Sequence, residues 1–140
     1  MPGCIFCDIL AGRAQASFVH RDDRCAAFMD IQPITPGHLL VVPVRHAASL
    51  AELDPDTGGH IFRVAQRMAA AVRRSGIRCE GIDLFLADGA AAGQDVFHVH
   101  LHVIPRFAGD GFGLRFPPGY GRRPARADVD ALAAQIASGL

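Results

Sequence analysis

The segment from residue 97 to residue 105 constrains the fold most, because histidines and aliphatic residues alternate through it. Side chains of a β-strand point alternately to its two faces. A strand over residues 96–104 would therefore present His98, His100 and His102 on one face and aliphatic side chains on the other. Neighbouring imidazoles would lie roughly 6.6 Å apart along the strand. The pattern predicts three histidines directed at one cleft or one ion, which favours metal binding, histidine catalysis or both.

Composition narrows the class of protein. The chain has 140 residues, of which 50% are hydrophobic and 20% are charged, as in one folded domain of ordinary composition. Its 14 basic residues balance 14 acidic ones, so no net charge attracts nucleic acid or anionic lipid. No apolar run approaches the roughly 18 residues of a membrane span, and the first residues lack the pattern of a secretory signal. We therefore expect a cytoplasmic protein without nucleic-acid or membrane partners.

The order of predicted elements is typical of an α+β domain with an antiparallel sheet. The segments that favour strands are 18–20, 25–29, 38–43, 82–86 and 96–104. One long helix is predicted to begin at Asp54-Pro55, where aspartate caps the helix and proline fits its first turn, and to end at Gly76. Its apolar stripe consists of Ile61, Val64, Ala65, Met68 and Val72. Shorter helical segments are expected at 4–10 and 127–138.

Cys4 and Cys7 form a Cys-x-x-Cys pair, a spacing that lets two thiolates converge on one tetrahedral zinc ion. A redox pair or two buried thiols fit the same spacing. The chain has no second Cys-x-x-Cys pair, so histidines would have to complete a zinc site. The candidates are the three alternating histidines together with His38 and His46.

These motifs together resemble the histidine triad (HIT) superfamily, and specifically its Hint-like branch of nucleotide-binding hydrolases. The resemblance rests on Cys-x-Phe-Cys-x-Ile at 4–9, Phe-Met-Asp-Ile at 28–31, Pro-Gly-His-Leu-Leu-Val-Val-Pro at 36–43, and Ala-Gly-Gln-Asp-Val-Phe at 92–97, which leads into the histidines. It implies a single domain over 1–140, with a HIT core at 1–113 and a C-terminal extension at 114–140. The implied HIT-like fold is a five-stranded antiparallel sheet with one long helix and short terminal helices, and the implied assembly is a homodimer.

The resemblance also implies an activity and a set of site residues. His100 would attack the α-phosphorus of a nucleoside 5′-phosphate derivative, such as a phosphoramidate, and form a covalent nucleotidyl-histidine that is hydrolysed to NMP. His102 would contact the phosphate or the leaving group. Asp30 would bind the ribose hydroxyls of a purine nucleotide. The remaining nucleotide contacts would come from Phe6, Ile9, Phe28 and Ile31 around the base and from Gly93, Gln94 and Asp95 near the phosphate.

Zinc-containing members of this branch imply a ligand set of Cys4, Cys7, His46 and His98. Such a zinc would be structural, because four protein ligands leave no open position for water. The alternatives are a thiol pair and a site without metal. His38 is expected to anchor a loop by hydrogen bonding rather than to meet substrate.

Two positions depart from the family's pattern. Ala87 stands where the family has an amide side chain, and Asp95 stands where it has Ser or Thr on a phosphate oxygen. A carboxylate at that point repels phosphate. Three functions therefore stay open: a nucleotide hydrolase or transferase, with dinucleoside polyphosphates as alternative substrates; a nucleotide-binding module with little catalysis; and a zinc-dependent structural protein. His20 and His60 are expected to be surface residues without assigned chemistry.

Overall fold

Five antiparallel strands form one sheet in the computed structural model, which describes residues 2–140. The strands are β1 (Phe18–Arg21), β2 (Cys25–Met29), β3 (Leu39–Pro43), β4 (Gly81–Phe85) and β5 (Leu101–Arg106), arranged in the order β1-β2-β3-β5-β4. The helices are α1 (Ile5–Leu10), α2 (Pro55–Arg74) and α3 (Arg126–Ala137), and a single 3-10 turn covers Ala90–Ala92. The predicted α+β fold, with one long helix and short terminal helices, is confirmed.

Helix α2 packs on one face of the sheet. Its first turn is capped by Asp54, whose side chain accepts a hydrogen bond of 3.0 Å from the Thr57 N–H. The helix ends before Gly76, which has a φ of +85° that favours glycine. The predicted apolar stripe is buried against alternate residues of the central strands, namely Cys25, Ala27, Leu39, Val41, Leu101 and Val103. Each fully buried aliphatic side chain contributes about 1.5–3 kcal/mol, so this contact fixes α2 on the sheet.

Helix α1 packs on the opposite face. Phe6 and Ile9 lie against Phe28 and Leu40, which are the alternate residues of β2 and β3. Strands β2 and β3 are therefore buried on both faces, which explains why they are continuous apolar runs in the sequence rather than alternating ones. The face that carries α1 is also the face that carries the histidines.

Strand β5 is shorter than predicted. The prediction of a strand over 96–104 is wrong at its beginning, because β5 begins at Leu101, which pairs with Val41. Strand β3 ends at Pro43, which has no N–H for a ladder hydrogen bond. Instead, the Pro43 carbonyl accepts a hydrogen bond of 2.8 Å from the ring of His98. His98 and His100 therefore precede the strand, and only the third histidine lies in it.

The C-terminal segment lies outside both layers. Every residue from 111 to 140 is exposed, and α3 buries no residue within the chain. Its apolar side chains include Leu114, Tyr120 and Ile136, which are 82%, 69% and 73% exposed. Among residues 2–140, no helix combines the length and the apolar character needed to cross a membrane.

Candidate active site and metal centre

Two cysteines and two histidines converge at the beginning of α1, and we call this group the Cys–His cluster: Cys4, Cys7, His46 and His98. Cys4 caps α1 by accepting the Cys7 N–H, so both sulfur atoms lie at the same helix end. The Cys7 sulfur is 3.3 Å from Nδ1 of His46 and 3.6 Å from Nδ1 of His98, and the Cys4 sulfur is 3.5 Å from the latter atom. The four ligand atoms all lie within 4.8 Å of one another.

This geometry fits a tetrahedral zinc ion. With Zn–S bonds of about 2.3 Å and Zn–N bonds of about 2.0–2.1 Å, a tetrahedron has S···N edges of roughly 3.6 Å. The ring of His98 donates its Nε2–H to the Pro43 carbonyl, which leaves Nδ1 without a proton and directed at the thiols. Burial raises the pKa of Cys7, and the adjacent Cys4 raises it further. A bound divalent cation would stabilise the deprotonated thiols against this shift, and two sulfur atoms with two imidazole nitrogens are a donor set that zinc takes in proteins.

His100 presents one nitrogen to a cavity. Its Nδ1–H donates a hydrogen bond of 2.8 Å to the carbonyl of His98, so the neutral ring has a lone pair on Nε2. The side chain is only 4% exposed, and Phe6 contacts the ring edge-on with the centroids 5.1 Å apart. The Nε2 atom lies 3.6 Å from Oδ1 of Asp95. An imidazole held in this tautomer can act as a nucleophile.

His102 is held in the opposite tautomer by a chain of hydrogen bonds. The Ile34 N–H donates to Nδ1 of His38 at 3.0 Å, so the neutral His38 has its proton on Nε2. That Nε2–H donates to Nδ1 of His102 at 2.8 Å, which leaves the proton of His102 on Nε2. Burial, together with the positive charge that His100 and His38 can acquire, lowers the pKa of His102 to about 4. His102 is therefore a neutral hydrogen-bond donor at pH 7.

A cavity of about 230 Å³, which we call the α1 cavity, lies beside these two histidines. Its lining includes eight of the predicted catalytic and nucleotide-binding residues: Phe6, Ile9, Phe28, Asp30, Ile31, Asp95, His100 and His102. The carboxylate of Asp30 is oriented by the Gln32 N–H, which donates to Oδ1 at 2.8 Å. Its second oxygen lies 3.5 Å from Nε2 of His38. The cavity thus has an apolar wall on α1 and a polar wall of two carboxylates, Asp30 and Asp95, and two imidazoles.

Gln94 and Gly93, the other two predicted nucleotide-binding residues, lie outside the α1 cavity. The side chain of Gln94 is buried, donates both N–H groups to the carbonyls of Ala48 and Val96, and accepts the Gly89 N–H. The Gly93 N–H donates to the carbonyl of Ala90. Neither residue lines the α1 cavity. Because the carbonyls of Ala48 and Val96 accept both amide hydrogens of Gln94, its side chain joins the segment before the histidines to the segment after β3.

Sequence reasoning missed several residues of the site. The role of His38 as a loop anchor is present in the structure, but its contact with His102 was not predicted, because the two residues lie 64 positions apart. Further residues that line the α1 cavity are Ile5, Gln15, Ala16, Met29, Gln32, Leu40 and Val96. None of them was an expected site residue, although Met29, Leu40 and Val96 lie within the sequence motifs, and the packing of α1 on the sheet places them at the cavity.

A second histidine cluster lies near the turn between β1 and β2. His20 and His60, which were expected to be surface residues without assigned chemistry, are half-buried, and their Nε2 atoms lie 2.7 and 2.8 Å from the same carboxylate oxygen of Asp22. The other oxygen of Asp22 accepts the N–H groups of Arg24 and Cys25. Burial would raise the pKa of Asp22, but these hydrogen bonds outweigh it and hold that pKa far below its usual value. The cluster joins α2 to the sheet.

The "HIT domain" family model matches residues 11–109. The chain belongs to the HIT family. A solved HIT family protein from Bacillus anthracis str. 'Ames Ancestor' is 35% identical, with a TM-score of 0.90 that covers 99% of this chain and 98% of that chain. A zinc-bound histidine triad family protein from Mycobacterium smegmatis is 38% identical, with a TM-score of 0.76 and coverage of 99% and 98%. The adenylylsulfatase HINT3 of Arabidopsis thaliana is 35% identical over 103 residues, which is 74% of this HIT protein and 52% of that one.

These comparisons confirm the predicted resemblance. The alternating histidines of this HIT protein are the triad of the family, and the Cys-x-x-Cys pair at residues 4 and 7 is the feature of its Hint-like branch. The likeness to the B. anthracis structure confirms the HIT-like fold.

Proposed function

We propose that this HIT protein is a nucleotide hydrolase or transferase that acts at the α-phosphorus of nucleoside 5′-phosphate derivatives, such as phosphoramidates. The observation that supports this most is the tautomer of His100, which gives its Nε2 a lone pair at the wall of the α1 cavity. The relative named as an adenylylsulfatase supports chemistry at a nucleotide phosphate group.

The proposed reaction has two displacements at phosphorus. In the first, Nε2 of His100 forms a bond to the α-phosphorus, and the bond from phosphorus to the leaving group breaks; the leaving group keeps the electron pair and takes a proton from solvent, and the water that attacks in the second step returns one proton to solvent. In the second, water attacks the nucleotidyl-histidine and releases NMP, which restores the free imidazole. The Nε2–H of His102 would donate a hydrogen bond to the phosphate or the leaving group, where negative charge develops.

The α1 cavity would hold the nucleoside. We propose that Asp30 accepts hydrogen bonds from the two ribose hydroxyls, because its carboxylate is already oriented by the Gln32 N–H. The purine would lie on the apolar wall formed by Phe6, Ile9, Phe28 and Ile31.

The experiment is AMP release from adenosine 5′-phosphoramidate by the wild type and by His100→Ala. We expect the variant to lose turnover and to lose the adenylyl adduct that mass spectrometry detects on the wild-type peptide containing His100. His20→Ala is the matched control, because His20 lies in the cluster with Asp22 rather than at the α1 cavity. Unchanged turnover by His100→Ala refutes the proposal.

A second candidate function is a nucleotide-binding module with little catalysis. It is favoured by Asp95, whose carboxylate lies 3.6 Å from the nitrogen that would attack phosphorus. Calorimetry with AMP, together with a panel that includes dinucleoside polyphosphates, separates the two functions. Binding of AMP without turnover of any member of the panel would establish the module, whereas turnover of a dinucleoside polyphosphate alone would establish the alternative hydrolase.

We propose that the Cys–His cluster binds one structural zinc ion per chain. The ion would link α1 to the segment that precedes β5, and its four protein ligands leave no position for catalysis. Metal analysis should find close to one zinc per wild-type chain and much less in Cys7→Ser. Cys79→Ser is the matched control, because the Cys79 thiol instead donates to the Gly81 carbonyl. A wild-type protein purified without chelator that holds well under one zinc per chain contradicts the proposal.

We also propose a cytoplasmic homodimer in which the C-terminal extension, 114–140, contacts the partner subunit. The support is the exposure of the whole extension, including Leu114 and Ile136. Sedimentation of the full chain should give the mass of a dimer, and a chain ending at residue 113 should dissociate more readily. A full chain that sediments as a monomer at micromolar concentration rules the dimer out.

A further inference from the structure

We infer that Asp95 selects substrates by the charge of the leaving group, favouring amines that carry a positive charge and disfavouring anionic groups such as a second nucleotide. The inference rests on the proposed hydrolysis at His100, and it gives a role to a residue that departs from the family's pattern. Asp95 would act on specificity, not on the bond-breaking step itself.

The first observation is the position of Asp95 between two cavities. It lines the α1 cavity, where the nucleoside would lie, and an adjoining cavity of about 500 Å³ that extends along Cys4, His46 and Phe97. A substrate whose phosphorus lies at Nε2 of His100 can place its nucleoside in the first cavity. The rest of the substrate then has the adjoining cavity available, and Asp95 lines both cavities.

The second observation is that the carboxylate is fixed but not neutralised. Its Oδ1 accepts the Val96 N–H at 2.9 Å, which holds the side chain beside His100. The side chain is 83% exposed, and its ion-pair partner within residues 2–140 is His100, at 3.6 Å. The chain contains no lysine that could reach it.

The physical consequence is a local negative charge beside the attacking nitrogen, at the boundary between the two cavities. An ammonium group is attracted to this charge, and a phosphate chain is repelled by it. Because the carboxylate is exposed, water and salt weaken the effect, and exposed ion pairs of this kind change a rate or an affinity by roughly 2- to 5-fold. A preference of this size is measurable, but only against a matched substrate.

The experiment compares two adenosine 5′-phosphoramidates whose leaving amines differ in charge, one N-linked to 2-aminoethylamine and one N-linked to propylamine. The value of kcat/KM for each is measured for the wild type and for Asp95→Asn. For each protein, the charged-to-neutral ratio is the kcat/KM of the aminoethylamine compound divided by that of the propylamine compound. The difference in intrinsic reactivity of the two compounds is the same in both proteins, and any effect of the variant on His100 is the same for both compounds. Both effects therefore cancel when the ratios of the two proteins are compared. Asp56→Asn is the control, because it removes one exposed carboxylate from the first turn of α2, on the opposite face of the sheet.

We expect the charged-to-neutral ratio to fall roughly 2- to 5-fold in Asp95→Asn and to stay unchanged in Asp56→Asn. The wild-type ratio should also fall as the salt concentration rises from about 0.05 to about 0.5 M. Diadenosine polyphosphate should show the reverse trend, with a relatively higher kcat/KM in Asp95→Asn. An unchanged ratio in Asp95→Asn overturns the inference.

Failure of the inference and failure of the proposed function give different results. If His100→Ala abolishes turnover and the charged-to-neutral ratio is the same in the wild type and in Asp95→Asn, the proposed hydrolase is supported and the selection by Asp95 is wrong. If the wild type cleaves neither compound, the hydrolase is wrong. The charged-to-neutral ratio is then calculated from the dissociation constants of the two compounds, measured for His100→Ala and for the double variant with Asp95→Asn. Equal constants for the two compounds then overturn the selection as well.

Discussion

Replacing His38 by phenylalanine tests the hydrogen-bond chain that sets the tautomer of His102. His38 is 1% exposed and lies between the Ile34 N–H and Nδ1 of His102, which it joins through bonds of 3.0 and 2.8 Å. Phenylalanine fills a similar volume and removes both ring nitrogens. The change therefore leaves one donor and one acceptor without a partner and frees the proton of His102 to occupy either nitrogen.

The expected cost follows from these two groups. An unsatisfied buried polar group costs about 1–3 kcal/mol, and partial access of water to His102 reduces its share, so we expect a loss of about 2–4 kcal/mol in the free energy of unfolding. In a domain of this size, such a loss lowers the Tm by roughly 10 °C. If the Nε2–H of His102 assists the departure of the leaving group, kcat should fall by about 10-fold or more. KM should change by less than about 3-fold, because the nucleoside contacts stay in place.

Thr35→Val is the matched control. Thr35 lies in the same loop, is 3% exposed, and donates its hydroxyl to the Pro105 carbonyl at 2.6 Å. Valine has the same shape and removes one buried hydrogen bond without touching His102, so it should lower the Tm and leave kcat at the wild-type value. Thermal denaturation and AMP release are measured on both variants below the lower Tm. The reasoning about the tautomer is refuted if His38→Phe retains the kcat of Thr35→Val.

The remaining predictions concern stability. Burial is the main cause that lowers the pKa of His102 to about 4, whereas a histidine in the unfolded chain titrates near ~6.5. As the pH falls, this histidine is therefore protonated in the unfolded chain before it is protonated in the folded one. The free energy of unfolding should therefore fall as the pH drops from ~6.5 to ~4, and urea titrations of His102→Gln should lack that part of the fall. Asp22 has a depressed pKa, so its contribution is present above pH ~3.9 and lost below it; Asp22→Asn should cost about 1–3 kcal/mol at pH 7, with a difference that narrows below pH ~4. Gly37 has a φ of +94°, and an added Cβ would lie 3.0 Å from Ile77, so Gly37→Ala should lower the Tm more than Gly121→Ala, which has a φ of +97° and open space around it.

The sequence predicted the elements whose formation depends on local chemistry. Helix α2 has an aspartate cap, a proline in its first turn and a stripe at helical spacing, and the structure shows each of them. Strands β2 and β3 are apolar throughout because both of their faces are buried, which their sequences indicate directly. The Cys–His cluster was also predictable, because a family motif specifies its ligands even though they lie on three separate segments.

The parts that the sequence did not predict depend on contacts between distant segments. Residues 96–100 look like the beginning of a strand, but β3 ends at Pro43. The ring of His98 donates to the Pro43 carbonyl, which therefore does not accept a hydrogen bond from a neighbouring strand. Gln94 looks like a polar residue available to a ligand, whereas the carbonyls of Ala48, 46 positions away, and of Val96 accept both of its amide hydrogens. The contact between His38 and His102 depends on the register of β3 with β5, which alternation alone does not specify.

The three triad histidines share one residue type and one spacing, yet the structure gives each a different free nitrogen. His98 donates its Nε2–H to the Pro43 carbonyl, which leaves Nδ1 free to face the cysteines, whereas His100 donates its Nδ1–H to the His98 carbonyl, which leaves Nε2 free to face the cavity. His102 accepts a hydrogen bond at Nδ1 from the Nε2–H of His38 and keeps its own Nε2–H as a donor. The chain can therefore support a ligand, a nucleophile and a donor within five residues. Because His100 is oriented by the carbonyl of a residue in the Cys–His cluster, this cluster and the cavity are parts of one hydrogen-bonded unit rather than two separate sites.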